Sequence, residues 1–333
     1  MNHYDVFNGD ADGICALHQL RLNAPRDALL VTGTKRENAL LHRVQAAPGD
    51  EVTALDIALP GNVVALRGLL ERGVRVRYID HHEPGEVPVH PLLEAIIDTS
   101  PEVCTSILVD RLLEGRHRAW AVVAAFGDNL PGPAARLAAA LGLDAATTAL
   151  WRELGECLNY NAYGMTEDDL VYRPADLYRA LAGHADPSRF IDAQPHFARL
   201  RAAREQDLAR ARGCAPVALG TLARLHRLPD AAWARRVSGS YANIVFNDDP
   251  GRAQVVAVPR GPAEPGAEVE GEILQLSLRM PAGSPVAAHE ICKRFGGGGR
   301  KGAAGVDRLP QADLPRFGEA LEQAFRRCAG GPA

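Results

Sequence analysis

The sequence predicts an α/β protein in two domains. An N-terminal parallel sheet with flanking helices is expected to be followed by a helical linker and a smaller C-terminal α/β domain. Three observations carry this. The chain has 333 residues, enough for two domains at roughly 100–200 residues each. From Tyr4 to about Asn129, short β-type runs alternate with helical ones, as parallel strands joined by crossover helices require. A charged stretch with few breakers, Ala193 to Arg212, then reads as a connecting helix, and the composition changes after Pro216. The expected division is 1–185, a linker over 186–215, and 216–333.

The elements follow in order. Tyr4-Asp5-Val6-Phe7 is a first strand ending at the turn Asn8-Gly9-Asp10-Ala11-Asp12-Gly13, after which Ile14, Leu17, His18 and Leu20 recur at helical spacing. Further strands are expected at Ala28–Thr32, Glu51–Leu55 and Val74–Ile79, with a helix from Gly61 to Arg72 that carries Val64, Leu66, Leu69 and Leu70. Thr105–Glu114 and Arg118–Ala125 read as helices, and Leu137 to Leu181 as mostly helical. In the C-terminal part, strands Ala253–Val258 and Glu272–Leu278 flank a Pro/Gly-rich turn from Arg260 to Gly266. A helix from Val286 to Phe295 is expected to run into Gly296-Gly297-Gly298-Gly299, and Leu314 to Arg327 to close the domain. There is no internal repeat.

Composition excludes several classes. Hydrophobic residues make up 47% of the chain, so it can bury a sizeable core and is not disordered as a whole. The 37 Lys+Arg against 41 Asp+Glu leave a net charge of −4, which provides no global basic field for a long nucleic-acid duplex. No run approaches the ~18 apolar residues of a membrane span, and Met1-Asn2-His3-Tyr4-Asp5 lacks the start of a signal peptide, so a cytoplasmic protein without membrane contact is expected. The six cysteines are scattered without a Cys-x-x-Cys pair, which argues for reduced thiols rather than a disulfide framework or zinc site.

Acidic residues follow three of the strand candidates, where ligands gather in open α/β sheets. Asp10 and Asp12 sit two apart in a Gly-flanked turn, a spacing that lets both carboxylates share one volume and calls for a cation. An Asp-rich turn capping the following helix is the other reading, and the segment alone does not separate the two. Asp56 ends the third strand, and Asp80-His81-His82 ends the fourth with ligand chemistry suited to manganese, iron or zinc. Asp128 follows the apolar run Trp120–Phe126 within Gly127-Asp128-Asn129, which by itself is an ordinary turn.

Together these motifs resemble the DHH phosphoesterase superfamily, named for the tripeptide found here as Asp80-His81-His82. Its first motif is similar to Asn8–Gly13, its second to Leu55-Asp56 and its fourth to Gly127-Asp128, and the C-terminal part is similar to the DHH-associated domain. The resemblance implies two divalent metals, manganese foremost with magnesium or cobalt as substitutes, held by Asp10, Asp12, Asp56, His81 and Asp128, with Asp56 bridging. It implies that Asp80 orients a histidine and that His82 contacts a phosphate or a metal. Asn8 stands where many members have His or Asp, so as a ligand it makes one metal site weaker.

The run Phe295–Gly305 is the second informative stretch. Consecutive glycines let backbone N–H groups approach an anion, Arg300 and Lys301 add charge, and Ala303-Ala304-Gly305 can open a short helix aimed at it; a flexible turn is the plainer reading. By resemblance, Gly297, Gly298 and Gly299 belong to the substrate loop of the DHH-associated domain, Arg279 in Leu276-Ser277-Leu278-Arg279 grips a substrate phosphate, and Asn243 helps line the cleft. Arg300 stands where the family usually has His, a permanent bidentate donor suited to phosphate or a guanine edge. Lys35 and Arg36 follow a strand and read either as phosphate contacts or as a solvated face.

The resemblance therefore implies a manganese-dependent phosphodiesterase that cuts short oligoribonucleotides or linear dinucleotides such as pGpG into 5′-mononucleotides, by two-metal activation of water. The alternatives are a 3′,5′-bisphosphate nucleotidase, a polyphosphate or pyrophosphate hydrolase, and a non-catalytic nucleotide-binding regulator. Proteins of this type are often dimers, which leaves a homodimer open.

Overall fold

A computed structural model describes residues 1–262 and 271–329. The chain divides into two compact units, Met1–Ala203 and Arg204–Ala333.

In the first unit the chain runs through β1 (His3–Asn8), α1 (Ala11–Asn23), β2 (Leu29–Gly33), β3 (Glu51–Leu55), α2 (Val63–Glu71), β4 (Arg75–Asp80) and β5 (Leu93–Ile97). Helices follow: α3 (Thr105–Leu112), α4 (Arg118–Gly127), α5 (Pro131–Ala140), α6 (Ala145–Ala162), α7 (Pro174–Leu181), α8 (Pro187–Ala193) and α9 (Pro195–Arg212), the last spanning the division between units. The strands form one parallel sheet in the order β2-β1-β3-β4-β5. Alternation along the strands sends Phe7, Leu55 and Ile79 into a core with Leu17, Trp120 and Leu154, while Val6, Ala54 and Tyr78 pack on the other face against Leu40, Leu66 and Leu69. Burying each such side chain is worth about 1.5–3 kcal/mol, so a one-residue register slip, which would exchange the two faces, is strongly disfavoured. The order reverses between β1 and β3, the switch point at which open α/β sheets bind ligands.

Helix α4 crosses α1 and α6 at close range. A Cβ on Gly127 would lie 2.4 Å from the Ala11 Cβ and 2.7 Å from the Gly155 carbonyl oxygen, so no larger residue fits without moving a helix. The helix then ends in a Schellman motif: Leu130 N–H bonds the Ala125 carbonyl at 2.8 Å and Asn129 N–H the Phe126 carbonyl at 3.2 Å, with Asn129 at φ 60°. Gly127-Asp128-Asn129 is thus a helix terminus, with Asp128 at its C-cap.

The second unit carries β6 (Val217–Leu219), β7 (Ala223–Arg227), α10 (Ala232–Asp248), β8 (Ala253–Pro262), β9 (Glu272–Arg279), α11 (Ala288–Lys293), β10 (Gly298–Gly299), β11 (Ala303–Pro310) and α12 (Leu314–Ala329). They build a six-stranded sheet in the order β10-β11-β9-β8-β7-β6, antiparallel except for the β7–β8 pair. Val255, Leu276 and Leu278 pack there with Phe317 and Leu321 of the amphipathic α12.

Three expectations need correction. The short helix expected to open at Ala303-Ala304-Gly305 is instead strand β11, because Ala304 and Gly305 pair with Leu278 and Ser277 of β9. Of the turn expected from Arg260 to Gly266, the part up to Pro262 belongs instead to strand β8, and the remainder lies outside the described residues. Helix α11 covers only Ala288–Lys293 of the expected Val286–Phe295. Strands β5, β6 and β7 and helix α10 were not anticipated, and among the described residues no helix is long and apolar enough to cross a membrane.

Candidate metal centre

The carboxyl ends of β1, β3 and β4 and the C-terminus of α4 converge around His81. The His81 Nδ1–H donates to the Val103 carbonyl at 3.0 Å, which fixes the ring and directs Nε2 toward carboxylates. That Nε2 lies 3.4 Å from Asp56 Oδ1, 3.9 Å from Asp12 Oδ2 and 3.9 Å from Asp128 Oδ2. Asp12, His81 and Asp128 form one set whose ligand atoms lie within 4.8 Å of one another, and Asp56, His81 and His82 form a second.

Each acid is placed by local structure. Asp12 is fully buried and accepts the Thr105 and Ser106 backbone N–H groups, both at 2.7 Å, at the start of α3, where the helix dipole favours a negative charge. Asp56 sits at φ 58°, a left-handed conformation that aspartate tolerates better than most residues, and its Oδ1 accepts the Thr105 hydroxyl at 3.1 Å. Asp80 is fully buried and accepts the His82 Nδ1–H at 2.8 Å, so it orients the second histidine. Asp10 does cap α1: its Oδ1 accepts the N–H groups of Asp12 at 2.9 Å and Gly13 at 3.1 Å. Its Oδ2 bonds the Lys35 ammonium, which also faces Asp128, so the capping reading of the turn holds and the partner of the other oxygen is a lysine.

Burial, then the neighbouring Asp12, Asp10, Asp128 and Asp80 charges, push the Asp56 carboxyl well above the usual carboxylate range. Burial also raises Asp128, against the pull of Lys35. Asp10 differs: burial is the largest single influence and opposes its charge, but Lys35 beside it, together with the hydrogen bonds from Gly13 N–H and Asp56, holds its carboxyl below the ordinary value. Carboxylates crowded in a buried volume, around an imidazole whose free nitrogen points inward, are a donor set that fits a divalent cation of the manganese type.

Other residues stand differently from their sequence reading. Asn8 is buried, and its amide is occupied locally: Oδ1 accepts the Asp10 N–H at 3.2 Å, while Nδ2 donates to the Lys35 carbonyl at 3.2 Å and to Asn38 Oδ1 at 3.4 Å. Lys35 lies among the carboxylates, its ammonium bonded to Asp10 Oδ2 and Asn159 Oδ1 (3.1 Å) and 3.5 Å from Asp128 Oδ1. No motif in the sequence marks Asn159, Thr105 or Ser106; the folded chain brings them there. Cys15 and Cys104 are buried in the same unit, and burial followed by the Asp12 charge raises both thiols well above normal, which leaves them poor nucleophiles.

In the second unit, Arg279 at the end of β9 donates through Nε to Asn243 Oδ1 at 2.6 Å and through Nη2 to the Gly239 carbonyl at 3.3 Å, both on α10. Gly298 and Gly299 pair with Gly305 and Ala304, and the Arg300 N–H bonds the Ala303 carbonyl at 2.7 Å, making Arg300-Lys301-Gly302 a hairpin tip. Register pairs Ala303 with Arg279, so the tip lies beside that arginine, and Arg300 and Lys301 are exposed there. Gly297 packs against the strand: a Cβ on it would lie 2.1 Å from the Gly305 oxygen.

Neither a scan against protein-family models nor a search of curated proteins finds a match. Solved structures do match in fold. The manganese-bound exonuclease RecJ superposes with a TM-score of 0.61 at 19% identity, over 99% of this chain and 91% of that one. The DHH domain of a member of a ribosomal-protein family gives 0.58 at 15% identity, over 98% and 86%. The pGpG-specific phosphodiesterase PggH from Vibrio cholerae gives 0.53 at 13% identity, over 98% and 99%. The fold is therefore the DHH-type α/β fold. It agrees with the resemblance carried by the motifs, and Asp80-His81-His82 closes its fourth strand.

Proposed function

We propose that the protein is a divalent-metal-dependent phosphoesterase that hydrolyses short oligoribonucleotides or linear dinucleotides such as pGpG to 5′-mononucleotides. The observation that carries this reading is the convergence of Asp12, Asp56 and Asp128 on His81 Nε2. A manganese ion bound there supplies a Lewis acid for the phosphate and lowers the pKa of a water. Asp12, Asp56, His81 and Asp128 would hold it. The Asp80 hydrogen bond raises the His82 pKa and orients the ring, which suits His82 to donate to a phosphate oxygen or to the leaving group. Covalent thiol catalysis has no support at this site, given the buried Cys15 and Cys104.

Substrate class is inferred from the second unit. Arg279 is held toward α10, and Arg300 and Lys301 stand at the hairpin tip, a small basic edge that suits a few phosphates and, through the Arg300 guanidinium, a guanine edge. The likeness in fold to a pGpG-specific phosphodiesterase supports the same choice, and the absence of net positive charge fits a short anionic partner rather than a long duplex. The proposed locale is the cytoplasm.

One panel with manganese tests the reading: linear diguanylate, a short RNA, 3′,5′-bisphosphoadenosine and tripolyphosphate. Hydrolysis of the first two to 5′-mononucleotides is expected, with Arg300→His weakening the preference for guanine over adenine dinucleotides. Turnover of tripolyphosphate with no nucleotide cleaved would contradict the proposal, and inertness toward all four would identify a binding protein.

A further inference from the structure

Lys35 stands with its ammonium among the carboxylates of the site. Its ammonium bonds Asp10 Oδ2 and Asn159 Oδ1 and faces Asp128 Oδ1 at 3.5 Å, and it lies 5.7 Å from the centre of the Tyr163 ring. Its backbone is fixed on both sides. The Lys35 N–H donates to the Ala162 carbonyl at 2.9 Å, and the Lys35 carbonyl accepts the Asn8 amide at 3.2 Å. Both oxygens of Asp10 are consequently engaged, Oδ1 by the start of α1 and Oδ2 by the ammonium. Among the described residues, Asp10 is in neither donor set of three, and the two sets share His81 as their common member.

We propose that this chain is built for a single divalent ion, held around His81, with the Lys35 ammonium as a permanent second positive charge between Asp10 and Asp128. The proposal rests on the metal-dependent reading above and deepens it. Carboxylates gathered in one buried volume repel one another until positive charge is supplied, and a lysine ammonium supplies it as a compact point charge with three donors. Asn8 is the matching change. A neutral amide adds no charge to a second metal position, and its nitrogen instead pins the backbone of the lysine that replaces that ion.

Manganese stoichiometry of the full chain, by equilibrium dialysis with metal analysis and by electron paramagnetic resonance, tests this without reference to turnover. The wild type is expected to saturate at a single tightly bound equivalent with an uncoupled, mononuclear spectrum. Lys35→Met is expected to take up a second equivalent and show exchange coupling, and to melt at a lower temperature than the wild type in chelator, with manganese restoring the difference. Lys35→Arg is expected to remain at one. Two coupled ions in the wild type, or Lys35→Met remaining at one, would overturn the proposal while leaving a metal-dependent enzyme intact. No uptake by the wild type would remove the metal reading itself and the proposal with it. Should Lys35→Met fail to fold, the wild-type and Lys35→Arg stoichiometries still decide.

Discussion

Asp80 and His82 show how much one buried hydrogen bond governs. Asp80 is fully buried, and its Oδ1 takes the His82 Nδ1–H at 2.8 Å, the contact that chiefly raises the imidazole pKa. Asp80→Asn should therefore reduce the proposed hydrolysis of pGpG by about 10–100-fold, the range for losing an orienting partner of a site histidine. It should also move the alkaline limb of the pH–rate profile to lower pH, since His82 loses the hydrogen bond that chiefly raises its pKa. A fall in rate with an unmoved limb would show that Asp80 acts only on packing. At this scale the acids and histidines were legible in the sequence, because turn chemistry and strand ends mark them. Lys35 was not. Its role depends on Asp10, Asp128 and Asn159, which come from distant segments, and nothing local distinguishes a lysine after a strand from a solvated one.

Among elements, α1 and α4 meet through groups whose polarity the periodic pattern hides. His18 on α1 is buried, bonds the His184 carbonyl through Nε2–H at 2.8 Å, and stands edge-on to Trp120 of α4 at 4.7 Å. Burial pushes its pKa from 6.5 down to about 4. Above pH 6.5 the ring is neutral whether folded or unfolded. Between 6.5 and about 4 only the unfolded chain takes the proton, so stability falls as pH drops through that window, by on the order of 3 kcal/mol in all. Urea unfolding of the wild type and His18→Gln, which keeps a donor but cannot titrate, should show the wild type losing that much relative to the variant between pH 7 and pH 4. Parallel pH dependences would refute the assignment. The sequence was informative where an element makes its own case, as in β1, β3 and β4, and silent where pairing decides. Strand β5 is a short run after a Pro-rich segment, paired to β4. Ala303-Ala304-Gly305 has no strand propensity and is extended because β9 offers it a ladder.

For the whole molecule, two units with separate hydrophobic cores carry the candidate residues: the clustered acids and His81 and His82 in the first, and the exposed Arg300 and Lys301 with the glycine run in the second. The first pattern is carried by strand ends that local sequence announces, whereas the second depends on which strands neighbour one another. On the proposed function, the acidic balance of the chain calls for a locally placed cation, rather than a global field, to meet a phosphate. That cation is the central claim. Diffraction data collected at the manganese absorption edge from crystals grown with manganese test it most directly. An anomalous peak within coordination distance of His81 Nε2 and the Asp12, Asp56 and Asp128 carboxylates is the predicted result. A map in which those side chains diverge, or in which manganese sits elsewhere and leaves His81 bare, would contradict it.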